Sequence, residues 1–131
     1  MSDLAEFVKA RLAEDEELAR DAYQGNFRWY GEEEAAHLEE SDDPVLYATL
    51  EALTKADARH IVEHGPERVL REVEAKRDIL ARYEDCLARQ EDPDYPSAVA
   101  RDQAREYEDF VLPNLAAGWS DHPDYTPDMR A

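Results

Sequence analysis

The chain has 131 residues and carries 33 acidic against 15 basic side chains, a formal net charge of −18. That length suits one domain with a single hydrophobic core. Proteins hold nucleic-acid phosphates and anionic lipids mainly with Lys and Arg, so this charge argues against direct binding of either. No apolar run approaches the roughly 18 to 20 residues that span a bilayer, and the start M-S-D-L-A-E-F-V is acidic where a secretory signal is basic. We therefore expect a cytoplasmic protein without membrane contact.

The negative charge is concentrated in the N-terminal part of the chain. Residues 1–54 contain 15 acidic and 4 basic side chains, a charge of −11 out of the total of −18. Such a surface attracts a basic protein partner, or it serves only to keep the protein soluble. Cys86 is the only cysteine, which excludes an intrachain disulfide, and we expect it to be an inert apolar residue beside the core.

The first predicted element is a helix over about 3–23. Asp3, followed three residues later by Glu6, resembles the capping box that opens a helix. Apolar residues then fall at helical spacing, at Leu4, Phe7, Val8, Leu12, Leu18, Ala19 and Ala22. Four consecutive acids at 14–17 occupy the outer part of this helix, where such a run is usually solvated.

Residues 27–30 (F-R-W-Y) and 45–50 (V-L-Y-A-T-L) are strand candidates because aromatic and β-branched side chains favour extended chain. Together they predict a small antiparallel β-hairpin. A rival interpretation makes 45–53 helical, since Ala, Leu and Glu favour helix. The acidic segment between the two candidates is either an exposed loop or a helical turn.

The strongest local signals predict two consecutive helices over about 55–64 and 66–90. Gly65 suits the left-handed residue that closes one helix, and Pro66 suits the first position of the next. The longer helix has an apolar stripe at Val69, Leu70, Val73, Leu80, Tyr83 and Leu87.

A last helix is predicted to begin at Ser97, after the turn-forming E-D-P-D-Y-P segment. Its apolar stripe is weaker and consists of Val99, Gln103, Tyr107, Phe110 and Val111. A less ordered tail follows from about 118. The predicted fold is therefore mainly α (α+β), with three to four helices and a small antiparallel hairpin in a single domain over 1–131.

Four stretches stand out as a set. They are F-V-K-A-R-L-A-E-D-E (7–16), G-N-F-R-W-Y-G (25–31), A-R-H-I-V-E-H-G-P-E-R-V-L-R-E-V-E-A-K-R (58–77) and D-H-P-D-Y (121–125). The set resembles an uncharacterised domain family of actinobacteria and their phages, in which W-R-W, H-I-x-x-H-x-P-x-R-V-L-x-E-V-E-A-K-R and H-P-x-Y segments recur. Phe27 stands where that family's first tryptophan lies, and a cysteine-containing stretch often found before the last helix is missing. The resemblance implies no activity.

A metal site is one candidate for hidden chemistry. Asp57, His60 and His64 project from one side of the predicted helix, and imidazoles four residues apart chelate zinc. A third protein ligand would have to be His122 or the cysteine. The chain lacks the glutamate that follows the first histidine in zinc hydrolases. The alternative is that both imidazoles bond to backbone or carboxylate at the end of the helix, where a cation suits the helix dipole.

Five aromatic residues lie outside the helical stripes, namely Phe27, Trp29, Tyr30, Trp119 and Tyr125. If they are exposed they form a contact patch of the kind that anchors interfaces, and if they are buried they close the core.

The leading functional interpretation is a non-enzymatic interaction or regulatory protein, phage-associated, that works through its acidic surface or its aromatic patch. In its specific form, carboxylates of 14–17 and 32–43 mimic nucleic acid and occupy the basic groove of a partner. The expected interaction residues are Glu14, Asp15, Glu16, Glu17, Glu32, Glu33, Glu34, Trp29 and Trp119. Two alternatives stay open, a small metal-dependent enzyme or metal-binding protein and a self-associating structural protein. No cofactor and no catalytic residue is predicted.

Overall fold

A computed structural model describes residues 2–22, 27–28, 37–38 and 55–130, and the chain over these residues is mainly helical. The helices are α1 (Asp3–Asp21), α2 (Lys55–Glu63), α3 (Pro66–Gln90), α4 (Ser97–Glu106) and α5 (Leu112–Ala116). A π-helical turn (Tyr107–Val111) joins α4 to α5, and 3-10 turns lie at Ala117–Trp119 and Pro127–Met129. Of the helices in the described part of the chain, none is both long and apolar enough to cross a membrane.

The chain divides into two compact units. The terminal unit contains Met1–Asp15 and Val73–Ala131, and the middle unit contains Glu16–Glu72. Residues from about 118, expected as a less ordered tail, form 3-10 turns, and Trp119 and His122 contact the first part of α1 within the terminal unit.

The predicted β-hairpin is not supported. Two-residue strands β1 (Phe27–Arg28) and β2 (His37–Leu38) pair antiparallel, with Phe27 opposite Leu38. Residues 27–28 thus pair with 37–38, and the predicted second strand, 45–50, lies outside the described residues. A ladder of two residues is also shorter than the strands that stabilise an ordinary sheet.

The core of the terminal unit consists of side chains from α1, α3, α4 and α5. Its buried apolar residues are Ala5, Phe7, Val8, Leu12, Val73, Leu80, Tyr83, Cys86, Ala100, Ala104, Leu112 and Ala116. The largest of the fully buried side chains are Tyr83, Leu12, Leu112 and Val8. Each large apolar side chain in such a core stabilises the fold by about 1.5–3 kcal/mol relative to leaving it in water.

The predicted apolar stripe of the last helix is wrong at two of its five positions, while Gln103, Tyr107 and Val111 are half-buried. Val99 and Phe110 are 46% and 62% exposed, whereas Ala100 and Ala104 are buried. The buried residues are four apart and small, so that α4 packs closely with its alanines. The π-helical turn begins directly after Glu106 and changes the angular step per residue, which shifts every later side chain from the phase of a regular α-helix.

Leu18 was also expected in the apolar stripe of α1 but is 70% exposed. It lies six residues after Leu12, which places it about 240° around a regular helix. Ala19, seven residues after Leu12, returns to nearly the same side and is buried.

Candidate functional site

The side chain of Arg11 lies within the apolar side of α1. Arg11 is 5% exposed and is the one charged residue that is buried among those the structure describes. It stands four residues after Phe7 and three after Val8, and its guanidinium carbon lies 5.1 Å from the centroid of the Phe7 ring. The aliphatic stem of an arginine can pack in such a place, but its charged head then requires polar partners.

The C-terminal D-H-P-D-Y segment supplies most of those partners. Arg11 Nη1 lies 2.6 Å from His122 Nδ1 and 3.2 Å from Asp124 Oδ2, while Nη2 donates to Glu14 Oε1 at 2.9 Å. Arg11 Nε is buried and has no hydrogen-bond partner in the described part of the protein. We call Arg11, Glu14, His122 and Asp124 the Arg11 cluster.

The contacts of His122 assign its tautomer. Nδ1 receives hydrogen bonds from Arg11 Nη1 and from the backbone N–H of Asp124, at 2.6 and 3.1 Å. Both of these groups are donors only, so Nδ1 must be the acceptor and the ring proton is on Nε2. Nε2 faces Glu14 Oε2 at 3.5 Å. Through Nδ1, the imidazole connects α1 to the backbone of the D-H-P-D-Y segment.

Aromatic contacts also connect the C-terminal segment to α1. The Phe7 ring meets His122 and Tyr125 edge to face, with centroid distances of 6.0 and 5.8 Å. Trp119 Nε1 donates to Asp15 Oδ2 at 3.0 Å, and Lys76 Nζ lies 5.3 Å from the centroid of its ring. Trp119 is therefore partly buried by intramolecular contacts, which does not favour its predicted use as an interface anchor.

The Arg11 cluster has the properties of a structural attachment. Glu14 and Asp124 have side chains that are 51% and 71% exposed, so water reaches both carboxylates. The cluster contains no nucleophile, and its one imidazole has its acceptor nitrogen occupied. We conclude that it fixes the C-terminal segment to α1. The sequence signal for it was an arginine at a core position of an amphipathic helix.

The predicted acidic run at 14–17 is largely occupied inside the protein. Glu14 pairs with Arg11, Asp15 accepts from Trp119, and Glu16 accepts two hydrogen bonds from Arg20, at 2.8 and 3.1 Å. Glu17 is exposed. The other predicted interaction residues, Glu32, Glu33, Glu34 and Trp29, lie outside the described residues.

Of the metal ligands predicted in and just after α2, His60 and His64 contact each other. The imidazoles of His60 and His64 stack with centroids 4.2 Å apart, and His64 Nδ1 lies 3.0 Å from the carbonyl oxygen of His60. Asp57 is exposed on the same helix. Across 2–22, 27–28, 37–38 and 55–130, no group of three or more His, Cys, Asp or Glu side chains is placed to hold a metal ion. His122, in the terminal unit, is bound to Arg11.

Tyr83 is the core residue whose chemistry is most altered by its surroundings. It is 1% exposed, and its hydroxyl donates to Glu108 Oε1 at 2.7 Å. Burial raises the pKa of Tyr83, and the hydrogen bond to Glu108 raises it further. The phenol therefore stays protonated at neutral pH and serves as a hydrogen-bond donor in the core.

An exposed apolar surface on α4 and the following π-helical turn was not predicted. Phe110 and Val99 are its large apolar residues, and the exposed carboxylates of Asp102 and Asp109 lie on the same two elements. We call these four residues the α4 face. The available sequence signal was the pair of alanines at Ala100 and Ala104, which compete with larger residues for the buried side.

The fold and these sites define a small acidic helical protein with a polar attachment of its C-terminal segment to α1. The chain belongs to DUF6221, a family of unknown function whose model matches residues 1–131. That match confirms the resemblance to an uncharacterised family. No curated protein and no solved structure matches the chain.

Proposed function

We propose that this is a non-enzymatic interaction protein that binds a basic protein surface through the α4 face. The observation that carries the proposal is the exposure of Phe110 at 62%, together with Val99 at 46%, while Ala100 and Ala104 of α4 are buried. Phenylalanine in water is unfavourable by about 1.5–3 kcal/mol relative to a buried site, and exposed apolar groups with a polar rim are typical of interaction surfaces.

The charge around these apolar residues supports a basic partner. Asp102 and Asp109 are exposed on the same two elements, and the whole chain carries a net charge of −18. A second copy of this chain would bring like charges together at the same surface, which is unfavourable. A partner with Lys and Arg around an apolar pocket would bury Phe110 and neutralise both carboxylates.

In its more specific form, the proposal is that the basic surface of the partner is a groove that normally holds nucleic acid. Mimicry of nucleic acid by 14–17 has less support, because three of those four carboxylates have intramolecular partners. The α4 face provides carboxylates that are exposed instead. Competition between this protein and DNA for the identified partner distinguishes a nucleic-acid groove from another basic surface.

Affinity capture from a native lysate, followed by measurement with the purified partner, tests the proposal. Phe110→Ser and the pair Asp102→Lys/Asp109→Lys are expected to weaken binding at least tenfold, and binding is expected to fall with added salt. The matched controls are Leu18→Ser, another exposed apolar residue, and Glu74→Lys/Asp78→Lys, the same charge change on α3.

The proposal fails if the α4 variants and their controls bind the partner equally, or if 0.5 M salt leaves the affinity unchanged. Light scattering tests the alternative that the protein associates with a second copy of itself. A monomer is expected, and a dimer that Phe110→Ser dissociates would assign the α4 face to a second copy and overturn the assignment to a basic partner.

A further inference from the structure

A cleft of about 300 Å³ lies between α3 and α4 in the terminal unit. Its lining residues are Arg82, Cys86, Arg89, Gln103, Glu106 and Tyr107. This volume is at the lower end of the range for small-molecule sites. The π-helical turn begins at Tyr107, and such turns are frequent beside functional sites in helices.

Arg82 and Arg89 are the two basic residues that line the cleft. Arg82 and Arg89 are seven residues apart, so they project from the same side of α3 about two turns apart. Among the described segments, including all of 55–130, no carboxylate lies within 4.0 Å of either guanidinium. Asp78 and Asp85, each four residues before one of them, do not form the usual helical pairs. Both guanidinium groups are therefore available, at one cleft, to an external anion.

Tyr95 contacts two of the residues that line the cleft, Arg89 and Gln103. The guanidinium carbon of Arg89 lies 5.5 Å from the centroid of the Tyr95 ring, which holds the planar group at the cleft wall. The Tyr95 hydroxyl donates to Gln103 Oε1 at 3.5 Å. Since the amide oxygen of Gln103 is then used, its amide nitrogen remains as a donor.

We propose that this cleft binds a small molecule through a compact oxyanion, either a phosphate or a carboxylate group. The planar guanidinium groups of Arg82 and Arg89 match the geometry of both anions and form charge-assisted hydrogen bonds with them. Glu106 at the rim then accepts a hydrogen bond from a hydroxyl or amino group of the same molecule. The site is separate from the α4 face, and neither proposal depends on the other.

Titration calorimetry with inorganic phosphate and, separately, with succinate tests the proposal and distinguishes the two anions, with sodium chloride at matched ionic strength as the reference. Saturable binding of at least one anion is expected. Arg82→Gln and Arg82→Gln/Arg89→Gln are expected to weaken it at least tenfold. Arg101→Gln/Arg105→Gln removes the same charge from exposed positions of α4 and is expected to bind as the unchanged protein does.

Cys86 provides an independent readout because it is the only cysteine and lines the cleft. Bound anion is expected to slow its reaction with a neutral disulfide reagent in the unchanged protein but not in Arg82→Gln/Arg89→Gln. The proposal is overturned if neither anion binds, or if Arg82→Gln/Arg89→Gln binds the anion as tightly as Arg101→Gln/Arg105→Gln does. It is also overturned if bound anion leaves the reaction rate of Cys86 unchanged. Partner binding through the α4 face is expected to persist in the cleft variants, so failure of one proposal does not imply failure of the other.

Discussion

Replacing Arg11 by methionine tests whether the buried guanidinium stabilises the protein. The substitution removes the contacts with His122, Asp124 and Glu14 but keeps an unbranched stem beside Phe7. Methionine also removes the buried Nε that lacks a partner, which offsets the loss by about 1 kcal/mol.

The expected loss of stability depends on how exposed the partners of Arg11 are. Hydrogen bonds to charged groups contribute about 1.5–3 kcal/mol, but exposed ion pairs contribute only about 0–1 kcal/mol. Glu14 and Asp124 have side chains that are 51% and 71% exposed and belong near the lower value, while His122 is 26% exposed. We expect Arg11→Met to lower the free energy of unfolding by about 1–2 kcal/mol. Arg11→Ala also loses the packing of two methylene groups, at about 0.8 kcal/mol each, and should lower it by about 3–4 kcal/mol.

Urea unfolding followed by far-ultraviolet circular dichroism measures these differences. Arg59→Met is the matched control, because Arg59 pairs with Glu63 at 3.2 Å on the surface and its side chain is 66% exposed. The control is expected to stay within about 0.5 kcal/mol of the unchanged protein. If Arg11→Met is as stable as Arg59→Met, the Arg11 cluster does not hold the C-terminal segment in the way described.

Three further predictions use the same assay. Trp119→Phe removes the donor to Asp15 and should lower the free energy of unfolding by about 1 kcal/mol, with little further loss when Asp15→Asn is added. Since the raised pKa of Tyr83 means that the folded protein keeps a proton the unfolded chain releases, its contribution is complete below about pH 10 and is lost as pH rises further. Tyr83→Phe should flatten that alkaline decline, and an unchanged decline would contradict the assignment. Ala104→Leu should lower stability by about 1–3 kcal/mol through overpacking, while exposed Ala98→Leu should stay within about 0.5 kcal/mol.

The helices were predictable where their signals are local. Gly65 and Pro66 separate α2 from α3, and the observed bounds Lys55–Glu63 and Pro66–Gln90 follow the predicted ones closely. Helix ends depend on the few residues around them, which a sequence shows directly. The pairing of β1 with β2 joins Phe27 to Leu38 and Arg28 to His37, and neither aromatic content nor β-branching specifies a partner strand.

The phase of α4 and the Arg11 cluster could not be read in full from the sequence. In the sequence, Val99 of α4 and Phe110 of the following turn outweigh the smaller alanines in any apolar pattern, although small residues allow the helix to approach the core more closely. Arg11 could have been noticed at a core position of α1. Its partners could not, because His122 and Asp124 are more than 100 residues away along the chain and their recruitment depends on tertiary packing.

The two proposed binding surfaces of the terminal unit differ in the sign of their charge. Asp102 and Asp109 make the α4 face acidic, while the cleft has Arg82 and Arg89 without acidic partners among the described residues. A basic partner is repelled by the cleft, and a small anion is repelled by the α4 face. Among the described residues Arg71, Arg101 and Arg105 also have no acidic partner, so the lack of a partner does not by itself mark a binding site. What distinguishes Arg82 and Arg89 is that both line one cleft, and this shared position is the basis for proposing that they bind an anion which the chain does not itself supply.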